Sequence, residues 1–296
     1  MITRRQWLAA AAALPLASSA GAGVGGGAAA AATVPAVPSS ASSIGSTRST
    51  PDTLRFVFSR PLDNPRTQWL IRVYTQLLGE LGMGFVFIDV PPKRATALVL
   101  NGEADGELGR TFDYQSLYPT LVRVAEPNNA VRFCAYAMRP GVNFDNWPAL
   151  RTAGLRCEYR LGIMELENML SRELPPPQVS SIPTIAQGLK KLRLNRTDLY
   201  FDVEEAVSDY LYFLSAAERD EAGLERLHQA GVVMATTGHA YLGPARAALA
   251  PQLAAGLARL KRQGDVQRHL VASLAAYKEA LLRSGRNQAL PATQRR

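Results

Sequence analysis

The sequence predicts an α/β protein built on mostly parallel sheets, and three observations lead there. From Leu54 onward, short runs rich in β-branched and aromatic residues alternate with longer segments whose apolar residues recur at helical spacing. Alternation at that length builds βαβ units. The passage Leu100-Asn101-Gly102-Glu103-Ala104-Asp105-Gly106-Glu107-Leu108, which leaves a helix and enters a strand, is echoed by Leu194-Asn195-Arg196-Thr197-Asp198-Leu199-Tyr200-Phe201, so two similar lobes are expected. The chain has 296 residues, 47% of them hydrophobic, enough for one large domain or two smaller cores without a metal or disulfide scaffold.

Residues 1–32 read as a targeting segment. Arg4 and Arg5 precede Trp7-Leu8 and an alanine-rich apolar stretch, with small residues at candidate cut sites after Ala20, Ala22 and Ala32. That is the make-up of a secretory leader, and the twin arginine makes it Tat-like, so export to the periplasm is expected. Residues 33–52 form an Ala/Ser/Pro-rich linker expected to be disordered. Gly21-Ala22-Gly23-Val24-Gly25-Gly26 matches the dinucleotide-binding fingerprint letter by letter. It lies between leader and linker rather than between a strand and a helix, so it carries no such meaning.

The folded part begins with a strand at 54–58, ended by the turn-rich Pro61-Leu62-Asp63-Asn64-Pro65. The spacing of Leu70, Val73, Tyr74, Leu77, Leu78 and Leu81 predicts a helix over 67–81, stopped by Gly82 and Gly84. A strand at 85–90 and a helix at 92–101 lead into the first echo passage. Strands are expected near 133–138 and through Arg160-Leu161-Gly162-Ile163, then a helix over 185–194 before the second echo. A strand at 231–236 and helices over 245–263 and 265–282 close the fold, and residues 286–296 are expected to be a disordered tail.

Composition narrows the function. The net charge of +8 falls to +6 once Arg4 and Arg5 are set aside with the leader, and acidic residues alternate with basic ones along the rest. A nucleic-acid binder gathers its basic residues on a stripe interleaved with aromatics, so nucleic acid is not an expected partner. No C-x-x-C or H-x₃-H pair exists, so no metal site with local spacing is expected, and no cofactor. No apolar run of 18 or more large residues follows the N-terminus, which argues against an integral membrane protein. G-x-S-x-G, H-E-x-x-H and P-loop motifs are absent, and the lone histidines His228, His239 and His269 read as structural, so no catalytic residue is assigned.

The order of the remaining motifs carries a resemblance. After Asn101-Gly102-Glu103-Ala104-Asp105-Gly106-Glu107 come Tyr118-Pro119-Thr120-Leu121-Val122-Arg123-Val124, Trp147-Pro148-Ala149-Leu150, Arg160-Leu161-Gly162-Ile163 and Thr197-Asp198-Leu199-Tyr200-Phe201-Asp202. A C-terminal helix pair holds Ala250-Pro251-Gln252-Leu253 and Leu260-Lys261-Arg262-Gln263-Gly264. This order, over nearly all of residues 53–285, resembles the extracellular solute-binding proteins of family 3, the type 2 periplasmic binding fold of amino-acid ABC transporters. The resemblance implies two lobes, each a mixed sheet flanked by helices, joined by two crossing strands. Lobe one would span 53–137 plus 233–285 and lobe two 138–232, with hinges near Ala135–Arg139 and Val232–Thr236. It implies a monomer that captures a small polar metabolite, an amino acid or a relative, with an ABC permease or a membrane sensor as partner. The alternatives are a ligand-sensing protein without a transporter and a cleft enzyme of the cyclohexadienyl dehydratase type, in which Glu107 would do acid–base work.

A zwitterionic ligand needs a planar cation for its carboxylate and an anion for its ammonium. Arg110 is the candidate for the first, with Arg60 behind it, and Asp202 stands where the resemblance places the second. Phe58 would stack on the ligand. The plainer readings are that Arg110 pairs with Glu107 or Asp113, and that Asp202 caps a helix beginning at Val203. The Ser/Thr run usual in amino-acid binders is replaced by Gly109-Arg110-Thr111, a departure that bears on which ligand fits. Cys134 and Cys157 either pair as a disulfide in the oxidising periplasm or sit as two buried small hydrophobes.

Overall fold

The computed structural model describes residues 52–283. The leader, all of the linker before Asp52 and the tail lie outside the described residues. Asp52 accepts from Arg246 Nη1 and Nη2 at 2.8 and 3.0 Å.

Strand β1 (Thr53–Val57) sends Leu54 and Phe56 to one face and Val57 to the other. Helix α1 (Pro65–Glu80) starts where Pro65 supplies a pre-set φ and the Asn64 side chain accepts from the Arg66 amide. Its apolar face is the one expected, and Gly82, at φ 75°, ends it in the left-handed conformation. Then come β2 (Gly84–Phe87), α2 (Pro92–Leu100), β3 (Gly106–Thr111), the single turn α3 (Tyr114–Leu117) and β4 (Val122–Arg123). The second half holds β5 (Asn129–Ala137), α4 (Trp147–Ala153), β6 (Cys157–Arg160), α5 (Met164–Glu173), β7 (Val179–Ile182), α6 (Ile185–Arg193), β8 (Leu199–Val203), α7 (Glu204–Phe213) and α8 (Ala216–Glu221). Strand β9 (His228–Leu242) returns, and α9 (Ala250–Arg262) and α10 (Asp265–Arg283) close the chain.

All nine strands among the described residues belong to one curled sheet in the order β2-β1-β3-β9-β5-β8-β6-β7, with β4 beside β9. β1 is parallel to β2 and β3, and β6 is parallel to β7 and β8, so each half carries a parallel triplet. The long antiparallel pair β5–β9 joins them, and its register slips between Phe133 and Cys134 and again between Ala135 and Tyr136. Bulges of this kind bend a strand and raise its twist. Each half is sandwiched between helices, with separate apolar clusters on its two faces: α1, α9 and α10 against α2 in the first, α4 and α5 against α6 and α7 in the second.

The sequence echo is a repeated structural pin. Asp105 accepts from the Arg55 amide at 2.7 Å and from Arg55 Nε at 3.2 Å, while Arg55 Nη2 donates to the Gly102 carbonyl. Asp198 does the same for Arg156, with amide and Nε at 2.9 and 3.0 Å, while Arg156 Nη2 donates to the Asn195 carbonyl. Both turns are left-handed, Gly102 at φ 75° and Asn195 at φ 52°. Burial alone would raise both carboxyls, but the arginine amide and guanidinium donors hold them below their ordinary value. Each pin ties the start of a strand to the neighbouring parallel strand, at the sheet edge opposite the carboxyl ends.

Two expectations are corrected, and of the two alternatives left open for the cysteines the structure takes the second. The strand expected through Arg160–Ile163 ends at Arg160, because the chain turns at Gly162 with φ 90°. The helix expected over 245–263 splits into a 3₁₀ segment, Pro244–Leu249, and α9, since Pro251 belongs in a helix's first turn rather than its interior. Cys134 and Cys157 are both free and buried, not bonded. Cys134 packs with Tyr136 and Tyr200 on one face of the sheet and Cys157 with Leu199 and Phe201 on the other, so the sheet separates them. Denatured protein taken without reductant is expected to accept two alkyl groups; a species accepting none would reverse the assignment.

Candidate functional site

The carboxyl ends of β1, β3, β6 and β8 converge on the cleft between the halves, which is where open α/β sheets hold ligands. Asp202, next to last in β8, is fully buried. Its carboxylate accepts from Arg160 Nε at 3.0 and 2.9 Å, from Tyr200 Oη at 2.5 Å and from the Val203 amide at 2.7 Å. Arg160 is the last residue of β6, so two neighbouring parallel strands meet in this pair. Asp202 does not cap α7, whose N-cap is Val203 and which has no side-chain cap bond; it accepts the Val203 amide ahead of the helix and is matched by Arg160, an arginine not singled out from the sequence.

Arg110, near the end of β3, turns back on its own lobe. Its Nη2 lies 2.6 Å from Glu107 Oε1 and 3.3 Å from Thr96 Oγ1, and its guanidinium covers the Tyr114 ring at 4.8 Å. Thr96 Oγ1 also meets Tyr114 Oη at 2.5 Å and Glu107 Oε2 at 3.2 Å. Burial alone would lower the Arg110 pKa, but the Glu107 charge, aided by Tyr114 and by Glu165 of the second lobe, raises it. Arg110 keeps its buried Nε without a hydrogen-bond partner. Arg110 and Asp202 make no ion pair with each other.

A third group crosses the cleft. Arg60, beyond β1, donates from Nη2 to Glu205 Oε1 at 2.8 Å. Arg66, in the first turn of α1, donates from Nε and Nη2 to Asp209 at 2.7 and 2.8 Å, and its Nη1 lies 3.6 Å from Glu205 Oε2. Asn129 at the start of β5 donates to the same oxygen at 3.1 Å. On the other side, Thr111 Oγ1 donates to Glu165 Oε1 at 3.0 Å. Glu204 and Glu205 stand in the first turn of α7, where the helix dipole favours negative charge.

Of the expected site residues, Arg110 and Asp202 stand in the carboxyl-terminal halves of β3 and β8 and Arg60 just beyond β1, with Asp202 fully buried. Phe58 does not face it openly: its ring is buried in the first apolar cluster, against Gly109, where an added Cβ would sit 2.5 Å from the ring. Arg66, Asn129, Arg160, Glu165, Glu205 and Asp209 were missed. The one available signal was their clustering just beyond strand ends, in Pro65-Arg66 and in Asp202-Val203-Glu204-Glu205. Among the described residues, no three His, Cys, Asp or Glu side chains are grouped to hold a metal, and no helix is long and apolar enough to cross a membrane.

No protein-family model matches the chain. An uncharacterized protein of Shewanella oneidensis is 26% identical over 240 residues, taking in 80% of this chain and 88% of that one. Among solved structures, a histidine kinase sensor domain with similarity to periplasmic binding proteins superposes with a TM-score of 0.57 at 15% identity, covering 76% of this chain and 96% of that one. The fold is the two-lobed periplasmic binding fold. An amino acid ABC transporter substrate-binding protein from Streptococcus pneumoniae, bound to L-arginine, superposes with a TM-score of 0.55 at 14% identity, over 76% and 95% of the two chains. At such identity the likeness establishes the two-lobed fold, and the ligand has to be argued from this chain's own cleft.

Proposed function

We propose that this protein is an exported, monomeric solute-binding protein that closes its lobes over a small zwitterionic metabolite, an amino acid or a relative, and hands it unchanged to an ABC permease. The observation that carries the reading is the opposite charge of the two cleft walls. The first lobe contributes Arg60, Arg66 and Arg110 with Glu107; the second contributes Glu165, Glu205 and Asp209, with Asp202 buried beneath them and paired to Arg160. A carboxylate would settle toward the first wall and an ammonium toward the second. Ligand contacts from both walls would stabilise the shut state over the open one, with the bulged β5–β9 pair as the bend. The twin-arginine leader read from the sequence supports a periplasmic setting.

The test is a thermal-shift screen of the exported protein against amino acids, amines and small carboxylates. A ligand at about 100 times its Kd stabilises the native state by roughly 2.7 kcal/mol. A zwitterion is expected to raise the melting temperature, and Arg110→Ala to abolish that rise. Silence from every zwitterion, or a hit from an uncharged solute alone, would overturn the reading, as would recovery of the ligand chemically altered.

A further inference from the structure

Glu205 is gripped as a ligand carboxylate would be. Both its oxygens are engaged, Oε1 by Arg60 and Oε2 by Asn129 with Arg66 alongside. Arg60 and Arg66 belong to the first lobe and Asn129 to the crossing strand, whereas Glu205 stands on α7 of the second lobe. Within the first lobe the Phe58 ring lies 5.8 Å under the Arg60 guanidinium. Asp209, on the same helix as Glu205, takes two of the Arg66 donors and leaves Nη1 facing Glu205. Paired guanidiniums are the donor set that recognises carboxylates best. Burial alone would push the Glu205 carboxyl up, yet the Arg66 and Arg60 charges hold it below its ordinary value.

We infer that Arg60, Arg66 and Asn129 form a carboxylate-binding niche, that Glu205 is its internal occupant when the lobes meet without a ligand, and that the carboxylate of a small-molecule ligand takes its place. The niche itself follows from the geometry; only the natural competitor rests on the solute-binding reading. An internal occupant lowers apparent affinity in proportion to the time it fills the niche, so removing Glu205 tightens carboxylate binding.

Glu205→Ala removes a CH₂–COO⁻ fragment, which acetate replaces, and acetamide is the neutral control of the same shape. Melting temperatures of the full exported chain are measured with each additive at matched ionic strength. Acetate is expected to raise the Glu205→Ala protein saturably, by about 2–4 °C, and to leave the wild type and the Arg60→Ala/Glu205→Ala double variant unmoved. Equal effects of acetate and acetamide, or an equal rise in wild type, would overturn the niche. Should Glu205→Ala not fold, Glu205→Gln keeps the volume and is titrated with acetate instead. Binding about tenfold tighter than wild type, a difference of about 1.4 kcal/mol, supports the niche, and equal affinity refutes it. Acetate rescue with a silent amino-acid screen would leave the niche standing and remove the zwitterion reading. A screen hit without acetate rescue would do the reverse.

Discussion

Arg66→Ala is expected to destabilise the protein by about 3–5 kcal/mol, the range seen when one partner of a buried ion pair is removed. Arg66 is 8% exposed and Asp209 7%, so neither has much water to fall back on. The alanine variant leaves the Asp209 carboxylate without either of its two short hydrogen bonds and takes one of two guanidiniums from Glu205. It also removes a cation lying 5.9 Å from the Trp69 ring. Because the pair spans the lobes, part of the cost can be relieved by opening the cleft and hydrating Asp209. Urea unfolding of wild type, Arg66→Ala and Arg66→Ala/Asp209→Ala measures this, with the double variant recovering part of the loss. A single-variant loss below about 1 kcal/mol would mean the pair is already solvated, as exposed pairs are, and that the empty protein stands open in solution.

Asp202→Ala is expected to cost about 3 kcal/mol, since charge-assisted hydrogen bonds count for roughly 1.5–3 kcal/mol each and buried orphans carry their desolvation cost. Three donors lose their acceptor at once: Arg160, the Tyr200 hydroxyl and the Val203 amide. Arg160 is partly exposed and finds water, but Tyr200 is fully buried. Burial, with the Asp202 charge, pushes the Tyr200 hydroxyl far above its ordinary value, so it remains a donor at any working pH. Adding Tyr200→Phe to the Asp202→Ala background should therefore restore part of the stability, while Tyr200→Phe alone destabilises. If the two losses simply add in denaturant melts, the Tyr200–Asp202 contact contributes nothing beyond its members.

The elements were legible because each is governed by near neighbours in the chain. The apolar spacing from Leu70 to Leu81 and the stop at Gly82 need no tertiary information and place α1 over 67–81, but Asn64 and Pro65, read as a turn, are the cap and first residue of the helix. Strand β9 was caught only over 231–236 of its 15 residues. Bulges break its two-residue period, and it serves both halves of the sheet with different faces. The echo was visible, but its meaning was not. Asp105 and Asp198 pin strand starts, and the charges a few residues on, Arg110 and Asp202, are what reach the cleft.

By itself the sequence determined an α/β chain of repeated units, their approximate borders, and the placing of Arg60, Arg110 and Asp202 at or near the carboxyl ends of strands. Periodicity and turn chemistry act over a few residues and are written locally. Only the tertiary structure decided which charges meet. Arg60 and Glu205 are 145 residues apart in the chain, and Arg66 and Asp209 are 143 apart. Nothing local selects one carboxylate over another for a given guanidinium. The choice is made when the β5–β9 pair brings the lobes together and burial confines each charge to the one or two partners within reach.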